Sequence, residues 1–221
     1  MAATRTKSYR QYCPVARTLD VVGDRWTLLI VRDLLMGPKR YTDLRAGLPG
    51  IATDILTARL RALEEAGFVR RRELPRPAPA TVYELTEDGL ELRRPVLALG
   101  KVGIATLGGP ERGEDVRVER IIIGLRVSFR GQQFPDLTET YELTIDGEQF
   151  TVEVRDGAVE TRPGSVSSPS LSLTTDARTF IALLTGELTV RDSLAHQRAV
   201  IEGERVALTR FIDAFSFGSS A

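Results

Sequence analysis

The periodicity of the chain changes part-way along, and this change restricts the possible folds more than any other feature. Up to about residue 107, apolar residues recur at three- and four-residue spacing, in segments punctuated by Gly, Pro and capping residues. Further on, runs such as Thr140–Ile145 and Gln149–Val154 alternate as strands do. Between the two textures lies Gly108-Gly109-Pro110-Glu111-Arg112-Gly113-Glu114-Asp115, a glycine- and charge-rich stretch that reads as a linker. A chain of 221 residues is long enough for two ordinary domains. The expectation is an α+β protein: a mainly helical domain over 1–107, a linker over 108–117, and helices on a small sheet over 118–221.

Charge follows the same division. The formal net charge is zero, which for a whole chain argues against nucleic-acid binding. Residues 1–100, however, carry 17 Lys and Arg against 12 Asp and Glu, a net of +5, while the rest carry 13 against 18, a net of −5. The zero is a cancellation. Lysine occurs only at Lys7, Lys39 and Lys101, so the remaining 27 cations are arginines, the side chain suited to bidentate phosphate and guanine contacts.

Several function classes drop out. Cys13 is the only cysteine and His196 the only histidine, so neither a disulfide nor a cysteine–histidine zinc site can form within the chain. There is no P-loop, no G-x-G-x-x-G and no G-x-S-x-G elbow. An enzyme is therefore not expected, nor a cofactor or metal. Phe180–Leu184 and Leu28–Val31 are far short of the ~20 apolar residues a bilayer span needs. Met1–Gln11 is polar and basic, without the apolar core of a signal peptide. A cytoplasmic, non-membrane protein is expected.

Within the first half, Pro14 opens a helix that Gly23 stops. Asp24 is expected to cap a second helix through Leu35, with Trp26, Leu29, Ile30 and Leu34 on one apolar face and Trp26 anchoring the core. Thr42 is expected to cap a short third helix around Leu44. A fourth runs from Thr53 to Ala66 on the stripe Leu56, Leu60, Leu63, ended by Gly67. Phe68–Leu74 and Thr81–Leu85 look like two strands around the tip Pro75-Arg76-Pro77-Ala78-Pro79, and Glu87–Leu107 like a long helix kinked at Pro95. Short helices followed by a basic hairpin give the layout of a winged helix-turn-helix. A helix of this size fits the DNA major groove and a hairpin reaches the flanking backbone.

The candidate DNA-binding residues follow. With Leu56, Leu60 and Leu63 buried, the fourth helix points Asp54, Ala58 and Arg61 outward, with Thr53 and Thr57 near its leading end. Asp54 suits capping better than base contact. On the hairpin, Arg70 and Arg72 share one face and Arg71 the other, because neighbours in a strand alternate. Arg70, Arg72 and Arg76, with Lys39, Arg40 and Thr42 at the third helix, suit phosphate contact. Arg25, Arg32, Asp33 and Arg59 are expected to form structural ion pairs, and His196 to be a surface or capping residue.

Taken together, Cys13-Pro14-Val15, Gly23-Asp24-Arg25-Trp26-Thr27-Leu28-Leu29-Ile30, Arg40-Tyr41-Thr42-Asp43-Leu44, Leu48-Pro49-Gly50-Ile51, Leu56-Thr57-Ala58-Arg59-Leu60-Arg61-Ala62-Leu63-Glu64, Gly67-Phe68-Val69 and Tyr83-Glu84-Leu85-Thr86 form an ordered signature. It resembles the HxlR-type winged-helix transcriptional regulators over roughly residues 12–105. The resemblance implies a sequence-specific regulator, more often a repressor, that binds double-stranded DNA as a homodimer built from the terminal helices of the domain. It also makes Cys13 a candidate redox sensor, set against the alternative of a small buried residue at the dimer contact.

In the second half, Thr140-Tyr141-Glu142-Leu143, Asp146-Gly147, Leu171-Ser172-Leu173-Thr174-Thr175-Asp176 and Phe180-Ile181-Ala182-Leu183-Leu184-Thr185-Gly186 are similar in order to sterol-carrier-protein-type domains. That likeness implies helices on a small sheet, with an apolar small-molecule effector as a candidate partner. Periodicity alone leaves residues 121–129 open between helix and strand, and the likeness favours helix. Phe180, Ile181, Leu183, Leu184, Phe211, Ile212 and Phe215 could line a cavity or fill a core, so no ligand residues are assigned. The alternative function is a carrier of lipid or another apolar small molecule, with a DNA-binding domain that no longer functions.

Overall fold

The structure is a computed structural model that describes residues 8–75, 79–104 and 107–217. The chain divides into two compact units between Val96 and Leu97, inside a helix and ahead of the glycine-rich stretch at 108–117.

The N-terminal unit opens with α1 (Pro14–Val22). The chain leaves it at Gly23, whose N–H donates to the Leu19 carbonyl at 2.9 Å. A Cβ at Gly23 would stand 2.5 Å from that oxygen, so the exit requires glycine. Helix α2 (Thr27–Leu34) starts later than expected. Trp26, not Asp24, holds the N-cap position, in the left-handed region at φ 80°, and the Asp24 carboxylate binds Arg59 instead. The buried residues of α2 are Thr27, Ile30, Val31, Asp33 and Leu34, while Leu29 is 40% exposed. At 100° per residue, Leu29 lies about 150° from the mean direction of Thr27, Ile30, Val31 and Leu34, which explains its exposure. Trp26 packs partly buried against the core, with the Arg25 guanidinium 5.1 Å over its ring.

A two-residue strand that the sequence did not suggest, β1 (Lys39–Arg40), leads into α3 (Tyr41–Gly47). Arg40 rather than Thr42 occupies the N-cap, and its backbone N–H donates to Asp43 Oδ2 at 3.1 Å. Helix α4 (Thr53–Glu65) buries Leu56, Leu60 and Leu63 as the stripe required. Ala52 stands at its N-cap, so Asp54 lies inside the first turn rather than capping it. Past the helix end Gly67 adopts φ 77°.

Strands β2 (Val69–Leu74) and β3 (Ala80–Leu85) form the hairpin, and the sheet order is β1-β3-β2, antiparallel throughout. The long helix expected over 87–107 is two helices, α5 (Glu87–Leu90) and α6 (Arg93–Ile104). The break falls at Glu91–Leu92, and Pro95 sits in the first turn of α6, where its missing N–H costs no intrahelical bond. The core joins Val22, Ile30, Val31, Leu34, Leu44, Leu48, Leu56, Leu60, Leu63 and Val69.

The C-terminal unit contains α7 (Val118–Ser128), which settles the open periodicity in favour of helix. Strands β4 (Glu139–Ile145), β5 (Glu148–Arg155), β6 (Ala158–Pro163) and β7 (Leu171–Thr175) follow. Then come α8 (Ala177–Thr185), α9 (Val190–Ala195), β8 (Ala199–Gly203) and α10 (Arg205–Phe215). The sheet order is β6-β5-β4-β7-β8, with β4 and β7 parallel and the other pairs antiparallel. Between β4 and β5, Asp146 and Gly147 both take positive φ, 49° and 82°, as a two-residue hairpin turn needs.

Alternation along β4 buries Tyr141, Leu143 and Ile145. Phe211 of α10 packs edge-on to Tyr141 at 4.9 Å between centroids, and lies 4.6 Å from Phe215 and 6.0 Å from Phe180. The apolar side chains of α8 and α10 thus pack on one another: Phe180, Leu183, Leu184, Phe211 and Phe215 are all buried. Burial also pushes the Tyr141 phenol well above its ordinary value, with Glu139 accepting its proton in a hydrogen bond. His196 is an exposed C-cap of α9, its Nδ1 donating to the Asp192 carbonyl at 2.9 Å. Among the described residues no helix is long and apolar enough to cross a membrane.

Candidate nucleic-acid interface

The outer face of α4 is built from the bottom of its first turn. Thr57 Oγ1 donates to the Thr53 carbonyl at 2.8 Å, and Tyr41 Oη donates to the same carbonyl at 3.0 Å from the start of α3. The two hydroxyls stand 3.3 Å apart. Tyr41 therefore ties α3 to the leading end of α4, a role that the sequence did not reveal because the contact joins residues twelve apart through a tight turn. Behind this face, Arg59 binds Asp24, which links α4 to the turn after α1.

Thr53, Asp54, Thr57, Ala58 and Arg61 are all exposed. Arg61 forms an i,i+4 pair with Glu65 at 2.7 Å, and with both side chains mostly in water that pair contributes little to stability. Lys39 lies on β1, with Arg40 and Thr42 exposed at the start of α3. The α4 residues thus share one helix face, while Lys39, Arg40 and Thr42 cluster at the neighbouring entry to α3.

The hairpin separates its arginines as alternation requires. Arg70 and Arg72 share a face, where each Nε donates to a different oxygen of Glu84 at 2.8 Å. Those two bonds, that of Arg72 first, hold the Glu84 carboxyl below the usual carboxylate range against the opposing effect of burial. Arg71, on the other face, binds Glu64 of α4 through Nε at 2.8 Å and Nη2 at 3.0 Å, and its guanidinium lies 5.3 Å over the Tyr83 ring. The bond to Glu64 raises the Arg71 pKa further. Arg71 is thereby committed to joining the hairpin to α4. Arg76 lies outside the described residues.

Glu84 carried no signal by itself in the sequence. It faces Arg70 only in the register Arg70↔Glu84, which the length of the proline-rich tip leaves undetermined. Cys13 stands at the N-cap position of α1, half-buried, with no side-chain cap bond. The expected ion pairs take the form Arg32–Asp33 at 2.8 Å and Arg59–Asp24, while Arg25 stacks on Trp26. Among the described residues no group of three His, Cys, Asp or Glu side chains is placed to hold a metal ion.

Comparison with known proteins bears on each half separately. Residues 21–108 match the family model described as HxlR-like helix-turn-helix. The chain is 36% identical over 91 residues to the HTH-type transcriptional regulator sll1512 of Synechocystis, covering 41% of this chain and 67% of that one. It is 36% identical over 94 residues to the HTH-type transcriptional regulator YybR of Bacillus subtilis, covering 42% and 75%. Among solved structures, the reduced form of the transcriptional regulator YodB from B. subtilis is 31% identical, over 42% of this chain and 92% of that chain, with a TM-score of 0.38. Residues 119–220 match the family model described as alkyl sulfatase C-terminal, and that match does not name the sterol-carrier type to which the sequence pattern was likened.

Proposed function

The chain belongs to the HxlR-like helix-turn-helix family, and from that premise we propose that it is a transcriptional regulator that grips duplex DNA with α4 in the major groove and the β2–β3 hairpin on the flanking backbone. The observation that carries this reading is the sorting of side chains on the N-terminal unit. One face of α4 is buried and structural, and the other offers Thr53, Asp54, Thr57, Ala58 and Arg61. The hairpin keeps Arg70 and Arg72 together on one face.

The division of labour follows from chemistry. Arg61 can pair bidentately with guanine, and Ala58 or the methyl groups of Thr53 and Thr57 can meet a thymine methyl. Arg70, Arg72, Lys39, Arg40 and Thr42 act on phosphates, which set register and orientation without reading sequence. The experiment is a selection of duplexes from a random pool by the full-length protein, followed by binding of the selected and scrambled duplexes. A preference that Arg61→Ala relaxes supports the reading; equal affinity for both duplexes removes it.

The protein acts as a homodimer in this reading. Tyr12 just ahead of α1, Val15 and Leu19 on α1, and Leu99 and Val102 on α6 are large apolar side chains left exposed, as a second copy would cover. Sedimentation of the native chain and of Val15→Glu tests this, a shift of the variant toward monomer being the expected result. An apolar effector in the C-terminal unit draws support only from the apolar side chains of α8 and α10, and those are occupied with one another. Native mass spectrometry of the purified protein tests it: a co-purified apolar molecule supports an effector, and protein mass alone supports a filled core.

A further inference from the structure

Glu84 is the one acidic side chain placed between the two hairpin arginines, and its geometry has consequences for binding. It lies directly across from Arg70, while Arg72 is its diagonal neighbour on the same face, within reach of a long side chain. Each carboxylate oxygen takes one Nε–H, at 2.8 Å. An arginine bonded through Nε keeps its Nη groups for another partner. Arg71 provides the contrast, because it spends Nε and Nη2 together on Glu64. The Arg70 and Arg72 side chains are 66% and 45% exposed, against 12% for Glu84, so the carboxylate lies beneath two outward-facing guanidinium ends.

We propose that Glu84 is a positioning residue for DNA binding, which aims the Nη groups of Arg70 and Arg72 at the phosphate backbone and halves the net charge of the hairpin face. The proposal rests on the DNA-binding reading above. A phosphate need not displace Glu84, since the donors it would use differ from those Glu84 holds. The face then presents two fixed forks with a net charge of one cation, so it favours a backbone of matching shape over polyanions in general. This explains why a carboxylate stands where a phosphate-binding surface would otherwise exclude it.

Two variants separate aim from charge. Glu84→Gln removes the charge, and its amide has one oxygen where the carboxylate has two, so one guanidinium is released. Its salt slope steepens by about 0.9, so that between 50 and 200 mM salt it loses about 3.5-fold more affinity than the native protein, with its preference for a selected over a scrambled duplex retained. Glu84→Asp keeps the charge but shortens the reach. Its salt slope stays native while affinity for the selected duplex falls about fivefold, the loss of one hydrogen bond's alignment.

A merely structural role moves neither slope nor affinity in a folded variant, and thermal unfolding of both variants checks the fold. Nitrogen-15 spectra of the arginine Nε–H groups, recorded without DNA, give an independent reading. Slowly exchanging Arg70 and Arg72 signals, of which Glu84→Gln loses one, show that Glu84 holds them. Native slope and native affinity in both variants overturn the proposal and leave the DNA-binding reading standing. Held Nε–H signals in a protein that selects no duplex overturn both.

Discussion

The two units bury their cores with different materials and use their arginines differently. The N-terminal core is aliphatic, Ile30, Leu44, Leu56, Leu60 and Leu63 among them, with Tyr83 at its edge. The C-terminal core is built around rings, with Phe211 meeting Tyr141, Phe180 and Phe215. In the C-terminal unit, Arg126 bonds Thr161, Arg210 bonds Glu139, and Arg117 and Arg120 both bond Asp115. These contacts tie helices to strands or fix the entry to α7. In the N-terminal unit, Arg71 and Arg59 do such work, while Arg61, Arg70 and Arg72 bond glutamates of their own helix or hairpin. The lesson is that both units leave arginines exposed, Arg162 on Glu153 among them, and that those of the N-terminal unit stand out by being gathered on one helix face and one hairpin face.

The sharpest way to break this contrast is in the cores. Phe211→Ala removes the ring on which the C-terminal stack converges and is expected to destabilise that unit by about 3–5 kcal/mol. Duplex binding by the N-terminal unit persists if the two cores are separate. Thermal unfolding followed beside a binding titration checks both halves of that statement, and loss of binding in a variant whose N-terminal unit stays folded would count against separation. Leu60→Ala makes the converse test. It costs about 2–5 kcal/mol in the N-terminal unit and removes binding, because α4 loses the stripe that seats it.

Smaller effects sharpen the account of the surface. Tyr41→Phe deletes the hydroxyl that reaches the Thr53 carbonyl at the leading end of α4. It is expected to cost about 1 kcal/mol of stability and to weaken binding to a selected duplex more than to a scrambled one. The mildest effect is one of pH. The folded pKa of Glu84 is depressed, so the stability it adds is fully present above its unfolded pKa and is lost as pH falls through the folded value. Acid titration of the native protein and of Glu84→Gln should diverge at neutral pH and converge below the carboxylate range.

Much of this was legible because periodicity and local chemistry agree along long stretches. The Leu56–Leu60–Leu63 stripe, the hairpin strands and the opposition of Arg71 to Arg70 and Arg72 follow from spacing alone. What escaped depended on contacts between segments. The two residues of β1 are too few to show alternation, and they form a strand only because β3 pairs with them. Asp24 looked like a cap, but Arg59, thirty-five residues away, competes for its carboxylate. Pro95 looked like a kink, yet the chain had already turned at Glu91–Leu92 and could place the proline where no donor is needed. Tyr41 and Glu84 matter through partners that only the register and the α3–α4 turn bring to them.

The central claim is that Arg70 and Arg72 grip phosphate while α4 occupies the groove. Fluorescence anisotropy of a selected duplex across 50–200 mM salt, comparing the native chain with the double variant Arg70→Gln, Arg72→Gln, tests it most directly. The account predicts that the slope of log affinity against log salt flattens by about 1.8, the loss of two phosphate contacts, with sequence preference retained. An unchanged slope in a folded variant would contradict it.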